Sequence, residues 1–195
     1  MINSLSNTIY RPIKVLYIHH TPVHGGASNS LRYLIQSFPS GTVDPLVIGP
    51  PGTALEAFKE VGIKVISIPG VPKLRNSIGS PLTGIRKLIL LYEIPYLRSS
   101  SLILKAITRH QPDIIHLNER FLVHSAKVAK SAAIPVVMHA RNVANRESRW
   151  LHKLSVHMIN KYVDIMIPID ESVRYSMREV KRYKIVYNPL NPLGI

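Results

Sequence analysis

IKVLYIHHTPVHGGASNSLRYLIQSF, residues 13–38, is the stretch that decides the fold. Its first six residues form a nearly continuous apolar, β-branched run. Such a run suits a strand buried on both faces better than the alternation of a half-exposed one. The run ends at His19, His20 and a loop built from Pro22, Gly25 and Gly26. In residues 28–38 the period then changes: Leu31, Leu34, Ile35 and Phe38 stand at i, i+3, i+4 and i+7, one apolar helix face. Strand, glycine loop and helix follow one another within 26 residues.

The same alternation continues along the chain. Strand-like runs recur at residues 45–48, 64–68, 113–117, 135–139, 164–169 and 184–187. Helix-compatible segments lie at 54–61, where Gly62 supplies a stop, and at 122–132 and 147–162. This order predicts a Rossmann-like, doubly wound α/β domain. Its sheet is mainly parallel, of about seven strands, with helices on both faces. Residues 1–12 read as a tail and 13–192 as the domain. Residues 69–111 break the pattern, with a Pro- and Gly-rich loop over 69–81 and two basic apolar helices, 82–93 and 96–110, separated by Pro95.

Composition narrows the function. Of 195 residues, 46% are hydrophobic and 18% charged, enough for a core and incompatible with intrinsic disorder. There is no cysteine, which excludes disulfides, thiolate metal sites and cysteine nucleophiles. Residues 1–14 contain no apolar h-region of a signal peptide. The most apolar stretch, 82–97, is interrupted by Arg86, Lys87, Glu93 and Pro95 and is too short and too charged to span a bilayer. With 25 Lys+Arg against 11 Asp+Glu, the formal charge is +14, so anionic partners are favoured.

In an open α/β sheet, ligands bind beyond the carboxyl ends of the strands. Those ends carry His20; His116, Asn118 and Glu119; His139, Arg141 and Asn142; Asp170 and Glu171; and Asn188. The loop Gly25, Gly26, Ala27, Ser28 allows close backbone approach and opens a helix whose amides suit a phosphate or a hydroxyl. A plain β–α turn accounts for the same residues. The loop is neither a Walker A sequence nor a GxGxxG fingerprint. No HExxH pair supports a metal site, and no GxSxG elbow supports a serine hydrolase. His139 directly follows an apolar strand at its functional end, although a histidine bonded to backbone would sit there equally well.

Taken together, residues 13–38, QPDIIHLN (111–118), IPVVMHARN (134–142), DIMIPIDES (164–172) and KIVYNPLNP (184–192) resemble the N-terminal, acceptor-binding domain of retaining GT-B glycosyltransferases. The similarity is to the broad family-4, or group-1, type. The resemblance implies a Gly25–Ser28 loop facing the donor diphosphate and acceptor, and a catalytic His139 near the transferred sugar. It implies acceptor-cleft roles for His20, His116, Asn118, Glu119, Arg141, Asn142, Asp170, Glu171 and Asn188. A nucleotide sugar is then the substrate; no cofactor and no metal are implied.

The motifs depart from the family's at three places. Asn118 stands where a second histidine is common, Asp170 where serine is usual, and Pro189–Leu190 where Gly-Val is usual. A donor-binding second domain, in cis or as a separate chain, is expected as partner, because the family's donor half with its EX7E motif is not found in these residues. Without it the chain is expected to be inactive.

The resemblance also raises a glycan or lipid-linked acceptor and a cytoplasmic location, peripheral on the inner face of the membrane. Between Lys73 and Arg109 the only acidic residue is Glu93, and Arg86, Lys87, Arg98 and Lys105 are the candidate contacts with anionic lipid. Packing of the same apolar face on the sheet is the competing explanation. A basic module for nucleic acid is the alternative function. Low aromatic content, 7%, and the absence of a recognisable binding motif argue against it.

Overall fold

The computed structural model describes residues 11–71, 99–144 and 149–188. Six strands form one all-parallel sheet in the order β3-β2-β1-β4-β5-β6. They are β1 (Ile13–Ile18), β2 (Val43–Gly49), β3 (Lys64–Ser67), β4 (Ile114–Leu117), β5 (Val136–Ala140) and β6 (Ile165–Pro168). The helices are α1 (Gly26–Ser37), α2 (Thr53–Lys59), α3 (residues 99–110 of the described chain), α4 (Val123–Ser131), α5 (Arg149–Tyr162) and α6 (Glu171–Ser176). The expected Rossmann-like architecture is present, and the strand order reverses between β1 and β4. Among the described residues no helix is long and apolar enough to cross a membrane.

Continuous apolar strands are explained by two cores, one on each face. Val15, Tyr17 and Val47 point toward α1 and α2, where Leu31, Ile35, Leu55 and Phe58 cover them. The intervening residues Leu16, Ile18, Leu46, Ile48, Ile115, Leu117, Val136 and Met138 point to the opposite face. There Ile103 and Ile107 of α3, Val123 and Ala126 of α4 and Ile159 of α5 pack on them. With a side-chain period of 2, a strand buried on both faces has no polar position to spare until its ends.

The amino edge is fastened by two carboxylates that use one device. Asp113, just before β4, accepts from the backbone N–H of Lys14 at 2.9 Å and from both terminal guanidinium nitrogens of Arg11 at 2.8 and 2.6 Å. The Arg11 guanidinium holds the Asp113 carboxyl down to about 2. Asp164, just before β6, accepts from the N–H of Val136 at 2.7 Å and from Lys130 Nζ. Each carboxylate satisfies an amide in the opening residues of a neighbouring strand, so both belong to the scaffold.

The seventh segment, residues 184–187, runs beside β6 without becoming a strand. Met166 N–H donates to Arg182 O, Lys184 N–H to Met166 O and Val186 N–H to Pro168 O. The position that should donate back to this segment is Pro168, which has no N–H, and only one bridge, Met166 with Tyr183, is regular. Sequence periodicity finds the apolar run but not the missing donor opposite it. The short helix α6 starts at the Asp170–Glu171 pair, with Asp170 as its cap.

Candidate functional site

At the carboxyl edge, the strands around the order reversal end in polar pairs spaced by two: Tyr17 and His19 on β1, His116 and Asn118 on β4, His139 and Arg141 on β5. Register makes them neighbours. Tyr17 is opposite His116, and His116 is opposite Val137, which shares a face with His139. The face of α1 is therefore apolar at its base and polar at its rim.

Two imidazoles form the floor. His116 Nε2 and His139 Nδ1 lie 2.7 Å apart, one donating and one accepting, with the rings stacked at 4.8 Å. His139 is 6% exposed, and burial with the nearby Arg141 charge pushes its pKa down to about 3. His116 is held well below its ordinary value by burial, then by His139 and Arg141. Both rings are neutral near pH 7. Burial also raises the Tyr17 hydroxyl to about 12, so it too stays uncharged.

Asn118, fully buried, is the hub above them. Its amide nitrogen donates to Ala27 O at 3.0 Å and meets His19 Nδ1 at 3.0 Å. Its oxygen accepts from Arg141 Nε at 3.1 Å and Nη2 at 2.9 Å. Arg141 Nη1 then donates to Ser30 Oγ at 2.7 Å and Asn188 Oδ1 at 2.8 Å. Ser30 Oγ in turn donates to Asn188 Oδ1 at 2.8 Å. One amide and one guanidinium thus tie α1, β1, β4, β5 and the segment after β6 into a single layer.

The glycine loop sits at this rim. Gly25 is the extended residue preceding α1, and no side chain caps the helix. A Cβ on Gly25 or Gly26 would meet nothing within 4 Å, and neither has a left-handed φ. The fold does not require glycine at either place. Gly52 differs: at φ +149 its Cβ would stand 2.4 Å from Pro22 O, where the loop crosses to α2. Ser28 is buried, its Oγ accepting from Gly25 N–H, donating to Gly25 O and lying 3.1 Å from His24 Nδ1.

Glu119 and Arg120 brace the β5–α5 loop from below. Glu119 Oε1 accepts from Arg120 N–H and Oε2 from Asn142 Nδ2 at 2.6 Å. Arg120, 2% exposed, donates to Asn142 O and Val143 O, each at 3.4 Å. Burial raises the Glu119 pKa and lowers that of Arg120. Ser30 and Arg120 were missed in the sequence. The i, i+2 polar pairs at adjacent strand ends are the signal that locates the rest of the layer.

The remaining candidates lie apart. The half-buried His20 packs against His19 and Phe121. Asp170 Oδ1 accepts from Val173 N–H at 2.7 Å and caps α6, while Glu171 is exposed on its first turn. Lys105 is exposed on α3, whose Ile103, Ala106 and Ile107 face the core. Arg86, Lys87 and Arg98 lie outside the described residues.

No protein-family model matches the sequence, and no curated protein does either. Solved structures do. HepE of Anabaena in complex with UDP-glucose aligns with TM-score 0.68 and 17% identity over 91% of this chain and 44% of that one. A UDP-GlcNAc 2-epimerase from Methanocaldococcus jannaschii aligns at 0.58 and 12%, over 90% and 46%. A glycosyltransferase from Rickettsia africae aligns at 0.57 and 14%, over 91% and 43%. The chain therefore spans less than half the length of each. Identities this low speak to fold alone. Glycosyltransferases and UDP-GlcNAc 2-epimerases of GT-B fold are its structural neighbours, and the chain has the fold of one Rossmann-like half of such a protein.

Proposed function

We propose that this chain is the acceptor-binding half of a retaining, family-4-type glycosyltransferase that takes its sugar from a nucleotide-sugar donor. The observation that carries the reading is the carboxyl-edge layer. A neutral, buried His139 lies beneath a rim that includes two glycines with open space beside them. Glycines that the fold does not need are accounted for by a ligand, or a facing domain, that approaches the backbone closely.

The chemistry of this half is positioning and electrostatics. A histidine with a pKa of about 3 is no general acid near pH 7, but its neutral ring can hold a sugar hydroxyl through Nε2, the nitrogen not paired with His116. The uncapped amides of α1 favour negative charge and suit a leaving diphosphate, whose other contacts would come from the donor-binding half. A glycan or lipid-linked acceptor and a peripheral site on an anionic membrane belong to the same proposal. They rest on the basic segment between Lys73 and Arg109.

The test is a transfer assay with UDP-sugars on the protein carrying both halves, read for turnover and for anomeric configuration of the product. His139→Ala is expected to lower turnover by about 10²–10³, far more than it lowers stability, where losing the partner of His116 costs about 1–3 kcal/mol. Full activity in a folded His139→Ala protein would refute the role, and an inverted product would refute the retaining assignment.

A further inference from the structure

Among the described residues, Arg141 carries a charge that its surroundings do not cancel. Its four hydrogen bonds go to Asn118 Oδ1 twice, Ser30 Oγ and Asn188 Oδ1, all neutral acceptors. The carboxylate whose charge it feels, Glu119, is already held by Arg120 N–H and Asn142 Nδ2 and lies beside the Arg120 guanidinium. Around it, His116 and His139 contribute no charge. Counting Glu119, Arg120 and Arg141 as ionised, the described residues of the layer hold two cations and one anion. Hydrogen bonds to neutral oxygens satisfy a guanidinium's geometry but do not compensate its charge, and a half-buried cation left in that state favours an anion.

The contacts at Nη1 are also replaceable. Ser30 Oγ and Asn188 Oδ1 bond each other at 2.8 Å, so each keeps a partner if Arg141 turns away from them. Two N–H groups would then face the rim, two residues beyond His139 on the same face of β5. Planar bidentate donation to phosphate or carboxylate is what a guanidinium does best.

We propose that Arg141 is a specificity-determining residue that selects an acceptor bearing an anionic group, a phosphate or a carboxylate, near the hydroxyl to be glycosylated. The inference rests on the sugar-transfer reading of the site, but its test does not. The 195-residue chain, labelled with ¹⁵N and with its Arg141 Nε–H resonance assigned, is titrated with inorganic phosphate. The Nε–H resonance is expected to shift with a Kd of about 1–10 mM, the range open to one charge-assisted pair with few other contacts.

Arg141→Gln, which keeps hydrogen-bonding capacity and removes charge, should weaken phosphate binding by about tenfold or more. Arg141→Lys should retain part of it, and this variant serves if the glutamine protein does not fold. No shift in the wild-type chain, or equal binding by folded Arg141→Gln or undiminished binding by Arg141→Lys, overturns the proposal. Competition with UDP separates the two sources of phosphate. Binding that persists with UDP present supports an acceptor group, whereas stoichiometric displacement by UDP assigns the anion to the donor and overturns it. A protein that transfers sugar yet ignores phosphate keeps the function and loses this inference.

Discussion

Lowering the pH should destabilise this domain well above the range where carboxylates titrate, because two buried imidazoles resist protonation. His139 has a folded pKa of about 3 against 6.5 in the unfolded chain, and His116 is depressed in the same direction. Above pH 6.5 both states hold these rings neutral and nothing is gained or lost. Below it the unfolded chain binds protons that the folded one refuses, so stability falls as pH falls, until the folded values are reached.

One proton per molecule is a slope of about 1.4 kcal/mol per pH unit. Moving from pH 6.5 to about 5 therefore costs roughly 2 kcal/mol for His139, and His116 adds to the loss in the same direction. That is a large part of the 5–15 kcal/mol typical of a domain's total stability. Glu119 works in the opposite sense: its folded pKa lies above the unfolded value, so its contribution is present at low pH and lost as pH rises through the folded value.

The assay is urea unfolding at several values between pH 5 and 6.5, on the wild type and on His116→Gln/His139→Gln, where Glu119 cancels in the difference. The wild-type slope should exceed that of the double variant by one to two protons. Equal slopes would refute the claim that this pair is kept neutral by burial.

Four further outcomes follow from particular contacts. Gly26→Ala should leave stability unchanged or raise it by about 0.4–1 kcal/mol, since open space surrounds the new methyl. If the proposed function holds, the same change in a protein carrying both halves should weaken UDP-sugar binding, measured by calorimetry. Gly52→Ala should cost about 2–3 kcal/mol in urea unfolding, from a φ of +149 and a Cβ driven against Pro22 O. Asn118→Ala should cost about 3 kcal/mol, because it strips partners from Ala27 O and the Arg141 guanidinium together. Pro168→Ala should supply the missing donor to residues 184–187, visible as a slowly exchanging amide at position 168 in hydrogen-exchange NMR.

The sheet was legible because both of its faces are buried. β1 matches the apolar run at residues 13–18, and the other five strands lie within three residues of their expected bounds. The site was legible only as a location. Its candidates cluster at strand ends, yet the sequence does not say which of them face each other. Tyr17 meets His116, and Asn118 meets Arg141, through register between strands far apart in the chain. Nor does charge reveal burial. Arg120 reads as an ordinary surface arginine beside Glu119, and only folding shows it holding two loop carbonyls from inside.

The distribution of polar groups separates scaffold from chemistry. Asp113 and Asp164 fasten the amino edge, Asp170 caps α6, and Glu119 is spent on the loop carrying Asn142. These four carboxylates have structural partners. A site that worked by paired carboxylates would need two that converge on one point with pKa values pushed apart. These four stand instead at separate places in the fold, each with its own partners. What faces the rim is neutral or positive: the imidazole of His139, the amides at the start of α1, and the Arg141 guanidinium. Such a surface is poorly suited to deprotonating a nucleophile and well suited to holding hydroxyls and anions in place. On the proposed function, for transfer from a donor whose leaving group is already a diphosphate, that is the contribution such a half would make, because the charge to be stabilised develops on the leaving group.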